Sequence, residues 1–224
     1  MINRILKVLF FVLFVKPLVF VILGLNIRRR ENLPLMGPAV IIANHNSHLD
    51  ALVLMSLYPL SKIHRVRPVA AADYFLSGKL RSWFSVKCLG IIALDRTRLA
   101  RLDTIFDECH EALDNNQILI IFPEGSRGSP ERLGKIKKGV FYLTKDRKNT
   151  PIIPVVMYGL GKALPKGEAL FVPFNCDVVI GDPMTPCQNS PQFTKQVADS
   201  FTKLLAECLT KKNRISDDCD TDTR

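Results

Sequence analysis

Apolar residues along this chain follow two spacings, and the two alternate. Short apolar runs bounded by turn residues cover Pro38–Ala43, Leu89–Leu94, Ile118–Phe122 and Pro151–Tyr158, and each predicts a buried strand, as does Arg65–Ala72 with two arginines at its start. The stretch Ala169–Ile180 predicts two more. Between them, apolar residues recur every three or four positions. That spacing predicts helices from Ala51 to Leu57, Tyr74 to Val86, Arg98 to Asn115, Gly139 to Thr144 and Pro191 to Lys211. In the third of these, Leu99, Leu102, Ile105, Phe106, Cys109 and Leu113 form one stripe, and His110 falls off it, as a solvated residue would. Strands alternating with helices predict an α/β fold with a largely parallel sheet flanked by helices.

The most apolar stretch, Ile5 to Leu25, breaks this rhythm. It is about long enough to span a bilayer, but Lys16-Pro17 falls at its middle. A central lysine costs about 3 kcal/mol on insertion scales, and proline leaves a carbonyl without its helical partner. Basic residues mark both ends, Arg4 and Lys7 at one and Arg28-Arg29-Arg30 at the other. The expectation is a bent, membrane-embedded helical segment lying in one leaflet, with Arg28–Arg30 among anionic head groups. A buried hairpin of a soluble core is the alternative. The chain thus divides into an anchor over residues 1–30, one catalytic-sized domain over 31–212, and a polar, acidic, disordered tail over 213–224.

Charge sharpens this reading. The 224 residues carry 31 Lys and Arg against 21 Asp and Glu, a formal +10, and the last eight residues hold four acids and one base. The body is therefore more basic than the whole, which suits an anionic membrane surface or a phosphorylated substrate. Nucleic acid is disfavoured: aromatics are 8% and no basic helix is interleaved with stacking rings. Six scattered cysteines form no C-x-x-C pair, so neither a zinc site nor a disulfide framework is expected.

Candidate chemistry gathers where strands end. Asn44-His45-Asn46-Ser47-His48-Leu49-Asp50 joins the first predicted strand of the domain to its helix. Five steps of about 100° put two helical residues on different faces. His45 and Asp50 can meet only with His45 in the loop and Asp50 in the first helical turn, and Ser47-x-x-Asp50 fits a capping box there. Asp50 could then fix the tautomer of His45 and leave its second nitrogen to take a proton. These residues alone leave open whether Asp50 is more than a cap and His45 more than a polar loop residue; His48 reads as structural. Downstream, Phe122-Pro123-Glu124-Gly125-Ser126-Arg127 ends another strand with opposite charges and a glycine able to turn tightly. Gly90 to Arg96 ends a third strand in Asp95-Arg96, and Lys135, Lys137 and Lys138 follow the Glu124 turn.

Four blocks in this order make the chain resemble the glycerolipid acyltransferase family. They are H-x-x-x-x-D (His45 to Asp50), the Gly90–Arg96 strand end, F-P-E-G-S-R (Phe122 to Arg127) and Ile153-Pro154-Val155, within Ala39–Gly159. The resemblance implies an O-acyltransferase of phospholipid biosynthesis. His45 would be the general base, oriented by Asp50. The acceptor hydroxyl would be that of lysophosphatidic acid, giving phosphatidic acid, and the donor an acyl-CoA or acyl carrier protein thioester. It implies a phosphate site of Arg96, Glu124, Gly125 and Arg127, oxyanion stabilisation by backbone N–H groups at the helix after His45, and no metal or cofactor. It also implies a membrane-associated protein on the cytoplasmic face of the inner or plasma membrane. Other acceptors remain open, lyso-ornithine lipid and other lysophospholipids among them. A lipase or thioesterase is disfavoured, because no G-x-S-x-G elbow occurs. A non-catalytic membrane-surface protein would explain the charge and the anchor, but not His45, Asp50, Glu124 and Arg127 together.

Overall fold

Ala39–Ala43 form strand β2, and none of the five is exposed to solvent. An unbroken apolar strand must be covered on both faces and paired on both edges. A computed structural model, which describes residues 2–47, 49–72, 83–95, 104–128, 132–163, 175–187 and 189–210, places β2 at the centre of such an arrangement. The sheet has seven strands in the order β1-β7-β6-β2-β5-β3-β4. They are β1 (Gly24–Arg28), β2, β3 (Val66–Ala71), β4 (Ile92–Leu94), β5 (Ile118–Ile121), β6 (Ile152–Tyr158) and β7 (Asn175–Ile180). Neighbours run parallel except β6 and β7. The helices are α1 (Ile2–Phe10), α2 (Asp50–Ser56), α3 (Asp107–Asp114), α4 (Gly139–Thr144), α5 (Leu160–Ala163) and α6 (Ser190–Ala206).

Side chains of β2 alternate between two cores. Ala39, Ile41 and Ala43 join Val53, Leu54 and the buried residues of the N-terminal segment; Val40 and Ile42 join Cys109, Leu113, Val140, Phe193 and Phe201 from α3, α4 and α6. Each fully buried side chain of this size contributes about 1.5–3 kcal/mol, so the central strands fix the frame that carries the loops. The expected strands and helices sit where the apolar spacing put them, with local differences. Gly90 is left-handed (φ 71°) and ends a π-helical turn over Phe84–Leu89, so β4 starts at Ile92 rather than Leu89. His110, expected in solvent, is half-buried and its Nε2 lies 3.2 Å from the Leu143 carbonyl, tying α3 to α4. Of the two strands expected over Ala169–Ile180, β7 is one, and 164–174 lie outside the described residues. So do most of the helix expected from Tyr74 and residues 98–103 of the one expected from Arg98, which begins only at Asp107 after a turn over residues 104–106.

The N-terminal segment explains its own irregularity. Phe11, Val15, Val19 and Leu23 are buried and spaced every four residues. On an α-helix such a stripe drifts about 40° per repeat. Two π-helical turns, Phe11–Val15 and Leu18–Ile22, on either side of Lys16-Pro17, take up the drift and hold the stripe against the sheet. The other face leaves Ile5, Leu9, Leu13, Phe14, Phe20 and Val21 exposed, Val21 at 82%. Among the described residues no helix is long and apolar enough to cross a membrane.

Two expectations are corrected here. Lys7, read as a flanking charge, is 4% exposed and donates to the Val66 and Leu89 carbonyls at 3.0 and 2.9 Å. Burial, reinforced by the charge of Arg67, lowers its amine to about 7. Gly24–Arg28, expected inside or just beyond the anchor, is instead edge strand β1, paired with β7 and tied to it by Asn26 Nδ2 donating to Asp177 Oδ1 at 2.7 Å. Its glycine, asparagine and arginine gave it no strand signature. Arg28–Arg30, expected among head groups, each also bond to the protein: Arg28 to the Glu207 carbonyl, Arg29 to the Glu207 carboxylate and Arg30 to the Leu57 carbonyl.

Candidate active site

The strand register brings two loops together. In the parallel pair β2–β5, Ile42 lies opposite Ile121. Three residues past each are His45 and Glu124, so the two leave the sheet side by side. The His45 N–H donates to Glu124 Oε1 at 3.2 Å, and the Gly128 N–H donates to the His45 carbonyl at 3.1 Å. Both backbone groups of His45 are thus held by the turn that follows β5. On the other side, Asn44 uses its side chain as a further rung between β2 and β6: Nδ2 donates to the Met157 carbonyl at 2.8 Å and Oδ1 accepts from the Met157 N–H at 2.7 Å.

The His45 ring is held from two directions. It stacks on Phe122, with centroids 4.1 Å apart and planes 18° apart, and its Nδ1 lies 2.9 Å from Asp50 Oδ2. That same oxygen accepts the N–H groups of Asn46 at 2.7 Å and Ser47 at 2.9 Å, while Ser47 Oγ accepts the Leu49 N–H at 3.3 Å. One carboxylate oxygen thus serves both the histidine and the Ser47 N–H, but the expected capping box is only half formed. Ser47 Oγ takes the Leu49 N–H and not that of Asp50, and α2 starts at Asp50 with Leu49 as its N-cap. With two backbone donors already aimed at Oδ2, Asp50 accepts there, so Nδ1 carries the proton and Nε2 presents a lone pair. Asp50 is fully buried and the His45 side chain is 22% exposed, which leaves the ring reachable and its partner dry. The N–H groups of Asn46, Ser47 and Leu49 are all spent inside this motif. Those three N–H groups are therefore already engaged.

Glu124 is buried, and desolvation pushes its carboxyl above the usual carboxylate range against the pull of the His45 and Gly134 backbone donors. Its surroundings leave no room: a β-carbon at Gly134 would overlap Oε2. Gly125 has φ 72°, in the left-handed region, and its N–H donates to the Phe122 carbonyl at 2.9 Å, closing the turn. Arg127 lies half-buried two residues on. His45, Asp50, Glu124, Gly125 and Arg127 thus occupy one end of the sheet; Arg96 and His48 lie outside the described residues. Asn44 and Phe122 were missed as positioning residues. An asparagine directly after a buried strand and an aromatic directly before Pro123 were the available signals. A cleft of about 600 Å³ lined by Arg29, Asp182, Lys195 and Glu207 lies elsewhere, at the end of β6 and β7 away from Met157 and hence from His45.

The arrangement is a histidine on a fixed backbone, its Nδ1 on a buried carboxylate, beside a turn carrying a guanidinium. Comparison with known proteins places the chain in a family. The chain is 29% identical over 179 residues to mouse 1-acyl-sn-glycerol-3-phosphate acyltransferase alpha, a match covering 78% of this chain and 60% of the mouse protein. It is 30% identical over 162 residues to a chloroplastic 1-acyl-sn-glycerol-3-phosphate acyltransferase of Arabidopsis thaliana, covering 71% of this chain and 43% of that protein. The chain spans less than two thirds of the length of these relatives. In fold it is similar to the crystal structure of the 1-acyl-sn-glycerophosphate acyltransferase PlsC from Thermotoga maritima, with a TM-score of 0.71 at 21% identity, covering 92% of this chain and 78% of that one. The Acyltransferase family model matches residues 24–158, more than half of the chain and the whole run from β1 through β6 that carries His45, Asp50 and Glu124. The chain belongs to the acyltransferase family.

Proposed function

We propose that the protein transfers an acyl chain from an acyl-CoA or acyl carrier protein thioester to the free hydroxyl of lysophosphatidic acid, giving phosphatidic acid. The observation that carries the proposal is the His45–Asp50 contact, with Nδ1 committed to the carboxylate and Nε2 open. Nε2 takes the hydroxyl proton as the oxygen attacks the thioester carbonyl. Asp50 then faces the imidazolium that forms, the thiolate leaves, and no acyl-enzyme is required. A positioned base of this kind contributes roughly 10²–10⁴-fold. Arg127, with Arg96, supplies guanidinium donors to the acceptor phosphate. Glu124 and Gly125 shape that pocket, Glu124 through the His45 amide and Gly125 through its left-handed turn. The acceptor class is supported by the names of the relatives, which act on 1-acyl-sn-glycerol-3-phosphate.

The N-terminal segment embeds along the membrane surface in this reading. Its support is the exposed apolar face of Ile5, Leu9, Leu13, Phe14, Phe20 and Val21, since clustered exposed apolar residues mark membrane or protein contacts. The protein then works on the cytoplasmic face of the inner or plasma membrane, where acyl thioesters are made.

The test is thiol release and lipid product formation from a long-chain acyl-CoA and from acyl carrier protein. The acceptors are lysophosphatidic acid, glycerol 3-phosphate, lysophosphatidylglycerol and lyso-ornithine lipid, with His45→Ala alongside. Acylation of lysophosphatidic acid, reduced at least about 10²-fold in the variant, is expected. Transfer to another acceptor only would replace the substrate. No transfer from either donor would overturn the reaction.

A further inference from the structure

We infer that Lys137 supplies a cation to the acceptor phosphate in addition to the arginines; the inference rests on the lysophosphatidic acid reading and deepens it. Residues 132–138 form a strap over the turn after β5. The Lys137 N–H donates to the Pro123 carbonyl at 2.8 Å, and Gly134 packs on the Glu124 carboxylate. The Lys137 side chain then lies across Gly125. A β-carbon there would stand 2.8 Å from Nζ, 3.0 Å from Cδ and 3.3 Å from Cε. The turn thus has two reasons for glycine at 125, its left-handed φ and the space the lysine occupies.

The ammonium is consequently held one residue from Glu124, whose other contact is the His45 amide, and two from Arg127. Lys137 is exposed and makes no ion pair among the described residues. Arg132, Lys135 and Lys138 on the same strap are exposed too, so positive charge is concentrated along the strap. The chemistry such a cation meets there is a phosphate. Two sources exist, the acceptor and the CoA of the donor. Geometry favours the acceptor: only two carbons and an ester oxygen separate its phosphorus from the oxygen that meets His45. The CoA phosphates stand a whole pantetheine arm from the reacting carbonyl.

The experiment is steady-state kinetics in mixed micelles for wild type, Lys137→Met, which keeps the stem over Gly125, and Lys137→Arg, which keeps the charge. Lys137→Met is expected to raise KM for lysophosphatidic acid about tenfold, the loss of one charge-assisted hydrogen bond. Its kcat should stay within about twofold, the signature of lost binding common to ground and transition states. Lys137→Arg should recover most of the loss. An unchanged KM for lysophosphatidic acid would overturn the inference, and so would a rise confined to acyl-CoA. A fall in kcat that Lys137→Arg does not rescue would make the residue a brace for the turn and overturn it as well. Failure of the lysophosphatidic acid reading shows separately, as a wild-type enzyme inactive on that acceptor.

Discussion

Asp50→Asn separates the two duties of one carboxylate. In the wild type a single oxygen, Oδ2, takes the His45 Nδ1–H and the N–H groups of Asn46 and Ser47. The substituted amide must choose which end faces these donors. With its oxygen inward, all three bonds survive. With its NH2 inward, two backbone donors lose their acceptor, at about 1–3 kcal/mol each. The oxygen therefore stays inward and the histidine tautomer is preserved, so the variant loses charge and little geometry. A charge-assisted hydrogen bond is worth about 1.5–3 kcal/mol against about 1 for a neutral one, and some Coulomb stabilisation of the imidazolium goes with it. A loss of about 2–3 kcal/mol in the transition state follows, or about 30- to 150-fold in kcat. The inward oxygen pushes the NH2 into the place of Oδ1, which is buried and without a partner among the described residues. That should lower Tm by a few degrees. The assay is kcat and KM on the acceptor the wild type uses, with thermal melts of both proteins. Full kcat in Asp50→Asn would show that the charge does nothing. A loss as deep as that of His45→Ala would show that the tautomer inverted, and that the two backbone donors do not lock the amide.

Three further outcomes are expected. Asn44→Ala removes both bonds to Met157 and leaves a buried N–H and C=O at a strand end; it should cost about 3 kcal/mol, roughly 6–12 °C in Tm, and an unchanged melt would refute the rung. The Lys7 amine titrates near 7 when folded and near 10.5 when unfolded. The unfolded chain thus binds more protons between these values, and stability rises with pH across them. Denaturant melts at pH 7 and pH 10 should show that gain in wild type and its loss in Lys7→Met, and equal pH slopes would count against a buried amine. Replacing Leu13, Phe14 and Val21 together with serine should abolish sedimentation with anionic lipid vesicles while Tm stays within about 2 °C, since all three are exposed. Retained sedimentation would move the membrane contact elsewhere.

Sequence pattern reached the centre of this fold more readily than its edge. β2, β5 and β6 are unbroken apolar runs, and only a two-sided core accepts those, so their place was legible. β1 was not, because an edge strand needs pairing on one side only and can be built from Gly24, Asn26 and Arg28. The site shows the same split. His45 and Asp50 were linked by spacing and capping chemistry. The meeting of His45 with Glu124 depends on the pairing of Ile42 with Ile121, which no local pattern encodes. Lys7 was misread for a related reason: a basic residue beside an apolar run looks like a flank until the carbonyls of Val66 and Leu89 arrive from distant segments.

The wide turns of the N-terminal segment bear on how its length can vary. From Phe11 to Leu23 the buried stripe takes twelve residues for three turns, four to a turn, more than the ordinary helix holds. Remove one residue and eleven span the same three turns, close to the pitch an α-helix adopts unaided. The segment therefore behaves as if it carried slack already wound in. It can surrender a residue with its inner face still on the sheet, whereas one more would have to be absorbed by turns that are already wide. Relatives of this chain should differ here by loss more often than by gain, with the shorter versions straighter.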